Sequence, residues 1–436
     1  MHIAFECLTL DNGLDVLIHE DFDCPIVAVN VWYHVGSKNE KPGRTGFAHL
    51  FEHLMFEGSQ HHDRGYFHPL QEAGASLNGS TNADRTNYWQ VVPANALELA
   101  LWMESDRMGY LLPALTEAKF ANQRDVVLNE RRQNYENRPY GLASMAVLGA
   151  LYPPEHPYHW LTIGAAEDLR AAKLDDVKSF FETYYRPRNA SIAVAGHVDV
   201  TTAFSLVSDY FSEIDGGGDT PAVEYKPPPA RTAETRLLLE DRVELPRIYM
   251  GWHSPAMFAD GDAELDLVAD LLSGGKTSRL YRTLVYEQRI ATEVGASQNS
   301  REIGSFFQIV ATAAPGRTLS ELERAISKEL TSFADRGPTA TEMERCLAQA
   351  EAHFIYRLQT VGGFGGKSDQ LNAYNVFVGD PNFFERDLDR YRTARAATLQ
   401  QTAAQWLRPE ARVVLSVVPR GRMALALTDS QPVVVS

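Results

Sequence analysis

Cysteine is scarce. The 436 residues hold three, Cys7, Cys24 and Cys346, too few and too scattered for a disulfide framework or a thiolate metal site. That scarcity fits a reducing compartment. No apolar run approaches the length of a membrane span, so the chain is read as having none. The first residues lack a basic stretch leading into an apolar core, so nothing there reads as a signal peptide. The expected location is the cytoplasm, or the periplasm if the sequence is a processed form. Positive charge is also short: 41 Lys and Arg face 57 Asp and Glu, a formal net charge of −16. That sign argues against nucleic acid as a partner, because phosphate binding needs the opposite one. What remains, 44% hydrophobic and 22% charged residues, describes an ordinary globular protein with material for more than one core.

One compositional break stands out. Asp215-Gly-Gly-Gly is followed within a few residues by Pro227-Pro-Pro, with little to bury in between, and reads as an extended linker over 215–233. It separates an expected domain over 1–214 from a second over 234–436. The halves resemble each other, as an internal duplication would. Each opens with strands, 26–34 and 247–253, followed by an amphipathic helix, 46–57 and about 261–273. Each later has a helix opened by Thr-Glu, at Thr116-Glu117 and Thr341-Glu342. Each closes with a helix, an aromatic turn containing Arg-Pro, and a strand. Strands with helices grouped between them predict an α+β fold: two homologous sandwich-like domains, each an antiparallel-rich sheet covered by helices.

The chemistry concentrates in the first half. His49-Leu-Phe-Glu52-His53 places two histidines four apart with a glutamate directly before the second, the H-x-x-E-H order of a metal hydrolase. On a helix positions 49 and 53 lie about 40° apart on one face, with 52 beside them. Phe47, Leu50, Phe51, Leu54 and Met55 supply an apolar stripe at helical spacing, so the helix is expected. Two imidazoles so placed can share one zinc, and the carboxylate can reach a water on it. The bland alternative is an amphipathic helix whose histidines cap its edge. A zinc hydrolase needs a third protein ligand from another element. The charged helix over 120–140 offers Asp125, Glu130 and Glu136, and spacing does not choose among them. Aligning Trp32 with Trp252 sets Ala269, Leu272 and Ser273 opposite His49, Glu52 and His53, so the second half lacks this chemistry.

With the motif, the Val126-Val-Leu-Asn-Glu-Arg-Arg132 run, Leu77-Asn-Gly-Ser-Thr81 and Gly274-Gly-Lys-Thr-Ser-Arg-Leu280, the chain resembles the pitrilysin/insulinase family of zinc peptidases. That family includes the mitochondrial processing peptidase, and the likeness runs from about residue 10 to 420, closest to the short bacterial type with two domains. The resemblance implies one zinc per chain, held by His49, His53 and Glu130, with Glu52 as general base, and peptides or unfolded segments as substrates. It also implies that the edge of a sheet near Ser76, Leu77 and Asn78 takes an extended peptide as an added strand, Asn78 foremost.

Two positions depart from the family pattern. Gln123 stands where members carry a second glutamate on the ligand helix; it can orient a ligand but adds no charge. The arginine and tyrosine that complete the family's catalytic clamp align with Val285 and Thr292, while Tyr286 and Arg289 nearby are in the wrong order. The chain is therefore expected to be the zinc-bearing subunit of a heterodimer whose partner supplies the pair. The alternative is a non-catalytic scaffold or binding subunit. His61, His62 and His68, and likewise His156 and His159, are read as loop residues at the surface. Gly362-Gly-Phe-Gly-Gly366 lacks the P-loop spacing of lysine and serine and has no preceding strand, so it is no phosphate cradle. It is read as a bend between helices or a mobile loop.

Overall fold

The computed structural model describes residues 2–435. The chain forms two six-stranded sheets. The first is built from β1 (Glu6–Thr9), β2 (Asp15–Glu20), β3 (Ile26–Tyr33), β4 (Ser76–Thr81), β5 (Thr86–Pro93) and β6 (Ala190–Gly196), in the spatial order β1-β2-β6-β3-β5-β4. The second holds β7 (Thr235–Asp241), β8 (Arg247–Ser254), β9 (Ala291–Asn299), β10 (Ser305–Ala313), β11 (Arg412–Pro419) and β12 (Gln431–Pro432), in the order β12-β7-β11-β8-β10-β9. One parallel contact recurs, β2 with β6 and β7 with β11; the pairings of β3, β5 and β4 and of β8, β10 and β9 are antiparallel. The repeat seen in sequence is thus a repeat of topology, and the fold is α+β with mixed, antiparallel-rich sheets.

The chain divides into two compact units. One comprises Met1–Glu130, Trp160–Glu224 and His353–Arg386; the other comprises Arg131–His159, Tyr225–Ala352 and Asp387–Ser436. The passage at Glu224–Tyr225 falls inside the Gly/Pro-rich stretch, where no helix or strand forms between Ser212 and Glu234. Each unit also takes a segment from the other half of the sequence, which a single cut at the linker does not give.

Those exchanged segments have a physical reason. A sheet buried on both faces needs a layer on each. In the first unit β3 and β6 are buried almost throughout, and helix Lys367–Val378 lies against them; Phe377 packs edge-on to Trp32 at 5.6 Å. In the second unit helix Ala143–Leu151 lies against β8 and β11. Gly251 makes room for it, since a Cβ there would sit 3.0 Å from Val147 Cγ1.

The helix that carries the histidines, Phe47–Leu54, is fixed at its start. Gly46 enters it with φ 89°, a left-handed value that favours glycine. Its start has no side-chain cap of its own. Instead the buried Glu40 accepts the amides of Gly46 and Ala48, both at 2.9 Å, and so satisfies donors that a helix start leaves open. The apolar stripe faces inward: Phe51 packs on Phe181 and Tyr185 at 5.5 and 5.2 Å. Each such buried aromatic contributes roughly 1.5–3 kcal/mol, and together they leave the opposite edge of the helix to the polar residues.

Candidate metal centre

Helix Glu117–Arg131 brings the third group. Buried Phe120 and Val127 anchor it in spite of its charge. Glu130 Oε2 lies 3.7 Å from His49 Nε2 and 3.4 Å from His53 Nε2. The imidazole rings stand nearly perpendicular, 88°, with centroids 4.9 Å apart. One ligand atom from each of His49, His53 and Glu130 lies within 4.8 Å of the others, the one such metal-type grouping among the described residues. The other two carboxylates left open by spacing stand elsewhere: Asp125 is 70% exposed beside Arg124, and Glu136 is paired with Arg131.

The residues fit a divalent ion of the zinc type. Two imidazoles and a carboxylate are a usual donor set for it. A ligating imidazole must be neutral, and burial, reinforced by the neighbouring His53, pulls the His49 pKa down to about 4. Its Nδ1 is buried without a partner among the described residues. Burial alone would lower His53 as well, but the hydrogen bond to Glu130 and the charges of Glu52 and Glu130 outweigh it, and the pKa is raised. Gln123 contributes to the same ring through a hydrogen bond and also donates to Glu57. An amide thus orients His53 where a charge was expected.

Glu52 sits on the histidine face of the helix. Burial raises its pKa, while a hydrogen bond from Thr81 and the charges of His53 and Arg85 hold it back. A carboxylate poised above its usual value is what a general base near neutral pH needs. Thr81 belongs to β4, the outermost strand of the sheet, so Glu52 and the strand edge adjoin. Along β4, Ser76 and Asn78 are exposed and Leu77 half-buried; Asn78 Oδ1 accepts the amide of Gly79.

Arg85 and Thr81 were not singled out by sequence. Arg85 follows a turn built on Asn82, whose Oδ1 accepts the amides of Asp84 and Arg85. It then bonds back to Ser80 through Nη1, at 2.9 Å to the carbonyl and 2.7 Å to the hydroxyl. Nothing in the spacing of a single arginine reveals that.

In the second unit the aligned positions carry no metal chemistry. Ala269 and Leu272 are buried, and Ser273 Oγ accepts the amide of Ala296 in β9. Val285 packs against that unit's core, and the Thr292 hydroxyl donates to Thr312 O. Tyr286 is 73% exposed. The remaining histidines divide. His61 reaches the buried Asp106 at 2.5 Å from a loop, and His68 is exposed beside Glu72. His156 corrects the surface reading: it is 1% exposed, stacked on Tyr152 at 4.7 Å, with Nδ1 accepting the Tyr158 amide. It does lie in a loop, but the aromatic setting buries it where a surface position was expected. His159 is half-buried and hydrogen-bonded to Tyr152 O.

Residues 15–153 match the family described as Insulinase (Peptidase family M16), and residues 171–350 match Peptidase M16 inactive domain. The chain is 30% identical over 388 residues to the zinc protease PqqE of Helicobacter pylori, covering 88% of this chain and 87% of that protein. It is 28% identical over 336 residues to an uncharacterized zinc protease of Mycobacterium leprae, covering 77% and 74%. Among solved structures, a protease from Helicobacter pylori superposes with a TM-score of 0.88 at 26% identity, over 95% of this chain and all of that one. The first half of the periplasmic protease PqqL from Escherichia coli gives 0.78 at 17% identity, over 97% and 94%, a likeness of fold.

Proposed function

The chain belongs to the insulinase family of peptidases, family M16, and on that footing we propose that it is a zinc metallopeptidase cleaving peptides or unfolded segments. The observation that carries this is the meeting of His49, His53 and Glu130, from two helices, beside Glu52. These three residues would hold one zinc per chain. When bound, the metal supplies Lewis acidity that polarises a scissile carbonyl and acidifies a nearby water.

The rest is done by the chain's own groups. Glu52, its pKa raised by burial, accepts the proton of the attacking water and returns it to the departing amine. Thr81 keeps the carboxylate aimed through its hydrogen bond. Gln123 and Glu130 hold the His53 ring in place. An extended peptide pairs with the open edge of β4, where main-chain hydrogen bonds bind without regard to sequence and Ser76, Leu77 and Asn78 line the way.

The chain works with a homologous partner that carries the arginine–tyrosine pair. Support comes from Val285 and Thr292, which stand at the aligned positions and cannot donate as that pair does. The three cysteines are unbridged, which supports a reducing compartment such as the cytoplasm. Among the described residues no helix is long and apolar enough to cross a membrane.

Metal analysis with an activity assay tests the reading. About one zinc per purified chain, with turnover of unstructured peptides by the chain together with whatever copurifies from native extract, is expected. A metal-free chain inert in every such preparation would replace it with the scaffold reading. Full turnover by the isolated chain would remove the partner and keep the peptidase.

A further inference from the structure

The glycine-rich stretch 362–366 does not bend freely between helices. It is a braced loop on the face of the first sheet away from Glu52. In the ladder Ser76, Asn78 and Ser80 of β4 stand opposite Val91, Trp89 and Asn87 of β5. Side chains alternate along a strand, so these share one face, and Thr81, which bonds Glu52, is on the other. Buried Asp369 closes the loop onto that face. Its Oδ1 accepts from Asn30, Trp32 and Asn87 at 3.2, 2.9 and 2.9 Å, and its Oδ2 accepts the Gly365 amide at 2.7 Å. The Lys367 and Ser368 amides bond back to Thr360 and Val361. Gly362 rests so close to the sheet that a Cβ would lie 2.6 Å from both Ala28 Cβ and Val91 Cγ2. Gly363 and Gly365 take φ +83° and +76°.

All this rigidity presents one side chain. Phe364, between the two glycines of positive φ, is 51% exposed, its ring edge-on to Trp89 at 5.5 Å. Trp89 pairs with Asn78, the exposed middle of the edge strand. Strands lie about 4.8 Å apart, so a peptide residue paired outside Asn78 stands about 10 Å from the Trp89 row. Two facing side chains span that distance.

We infer that Phe364 determines specificity by receiving an apolar, preferentially aromatic, side chain of a peptide strand paired with β4, on the sheet face opposite the metal centre. This rests on the peptidase reading and on strand addition at β4. Aromatic pairs form edge-on or offset contacts with some adaptability, so the preference is graded between aromatic and branched aliphatic residues and absent for small or charged ones.

The test uses the full zinc-loaded chain with Glu52→Gln, together with whatever partner copurifies, so that binding is read without hydrolysis. Fluorescent Ala/Ser peptides carrying a single Phe, moved one position at a time, are titrated by anisotropy. One register should bind about tenfold tighter than the all-Ala/Ser peptide. Phe364→Ala should erase that gain while leaving the all-Ala/Ser affinity in place, and Phe364→Trp should restore it. Because the residue is exposed, the alanine variant should fold, and unchanged zinc content checks it. A Phe preference that survives Phe364→Ala overturns this inference and leaves the peptidase reading intact. No binding of any peptide by the folded, zinc-loaded chain together with its copurified partner overturns both.

Discussion

Five strands of each sheet share one order and one parallel contact, the sixth being an antiparallel β1 in the first and a parallel β12 in the second. The units part again where a helix meets the opposite outermost strand. In the first unit Glu52 on helix Phe47–Leu54 bonds to Thr81 of β4, with two imidazoles beside it. In the second, helix Asp262–Ser273 ends on Ser273, whose hydroxyl accepts the Ala296 amide of β9 at 2.7 Å and donates to its carbonyl at 3.3 Å. One junction holds titratable groups; the other is closed by a serine and buried alkyl groups. The same topology therefore carries either a cluster of titratable groups or a sealed contact, and side chains alone decide which.

The sharpest way to break this contrast is to disable the reactive junction without dismantling it. Glu52→Gln should cut peptide turnover by about 10²–10⁴-fold, while zinc content measured by mass spectrometry stays near one per chain. His49→Ala or Glu130→Ala should lose both. Conversely, giving the second unit Ala269→His, Leu272→Glu and Ser273→His should add no second zinc. Those positions are packed against that unit's own core, and a carboxylate at Leu272, 0% exposed, would be buried there. A second equivalent of zinc would end the claim that the sealed contact excludes a metal.

A smaller difference lies in how each unit uses ion pairs. Glu104 and Arg107 are wholly buried in the first, with Arg107 also over the rings of Tyr66 and Tyr88 at 4.0 and 4.1 Å. Arg107→Leu strands a buried carboxylate and should cost about 3–5 kcal/mol in denaturant unfolding. In the second unit Arg279 and Glu342 pair at 2.7 Å nearer the surface, and Arg279→Leu should cost about 1–2 kcal/mol.

Acid should separate the units further. In the first, on the proposed reading zinc would compete with a proton on His53, whose pKa is raised, so chelator titrations should show zinc affinity beginning to fall at a higher pH than an imidazole of the usual 6.5 would give. In the second, burial lowers His156 and His253 to about 4 from 6.5. The unfolded chain takes up those protons first, so this part of the stability is complete above pH 6.5 and is lost as pH falls towards 4. Replacing both with phenylalanine should flatten that slope in thermal melts; an unaltered slope would assign the acid sensitivity elsewhere.

Some of this was legible because the signal is local. The helix under His49 and His53 follows from a stripe of apolar residues at 3.6 spacing, and Phe51 packs as that stripe requires. The duplication was legible because each half repeats its strand and helix order. The exchange of helices 143–151 and 367–378 was not, since nothing local tells a helix which sheet it will cover. His156 was misread for a related reason: it does lie in a loop, but nothing local shows that Tyr152 and Tyr158 close around it and bury it.

By itself the sequence determined the α+β repeat, the paired imidazoles and the adjacent base, because periodicity and short spacing are properties of a few consecutive residues. Residue-level spacing left Asp125, Glu130 and Glu136 equal as the third group. Only the tertiary structure set Glu130 3.4 Å from His53, brought Thr81 to Glu52, and laid a glycine loop from the far half of the chain over Trp89. Each of those joins segments distant in sequence, and such contacts depend on how sheets and helices pack, which no short window of residues encodes.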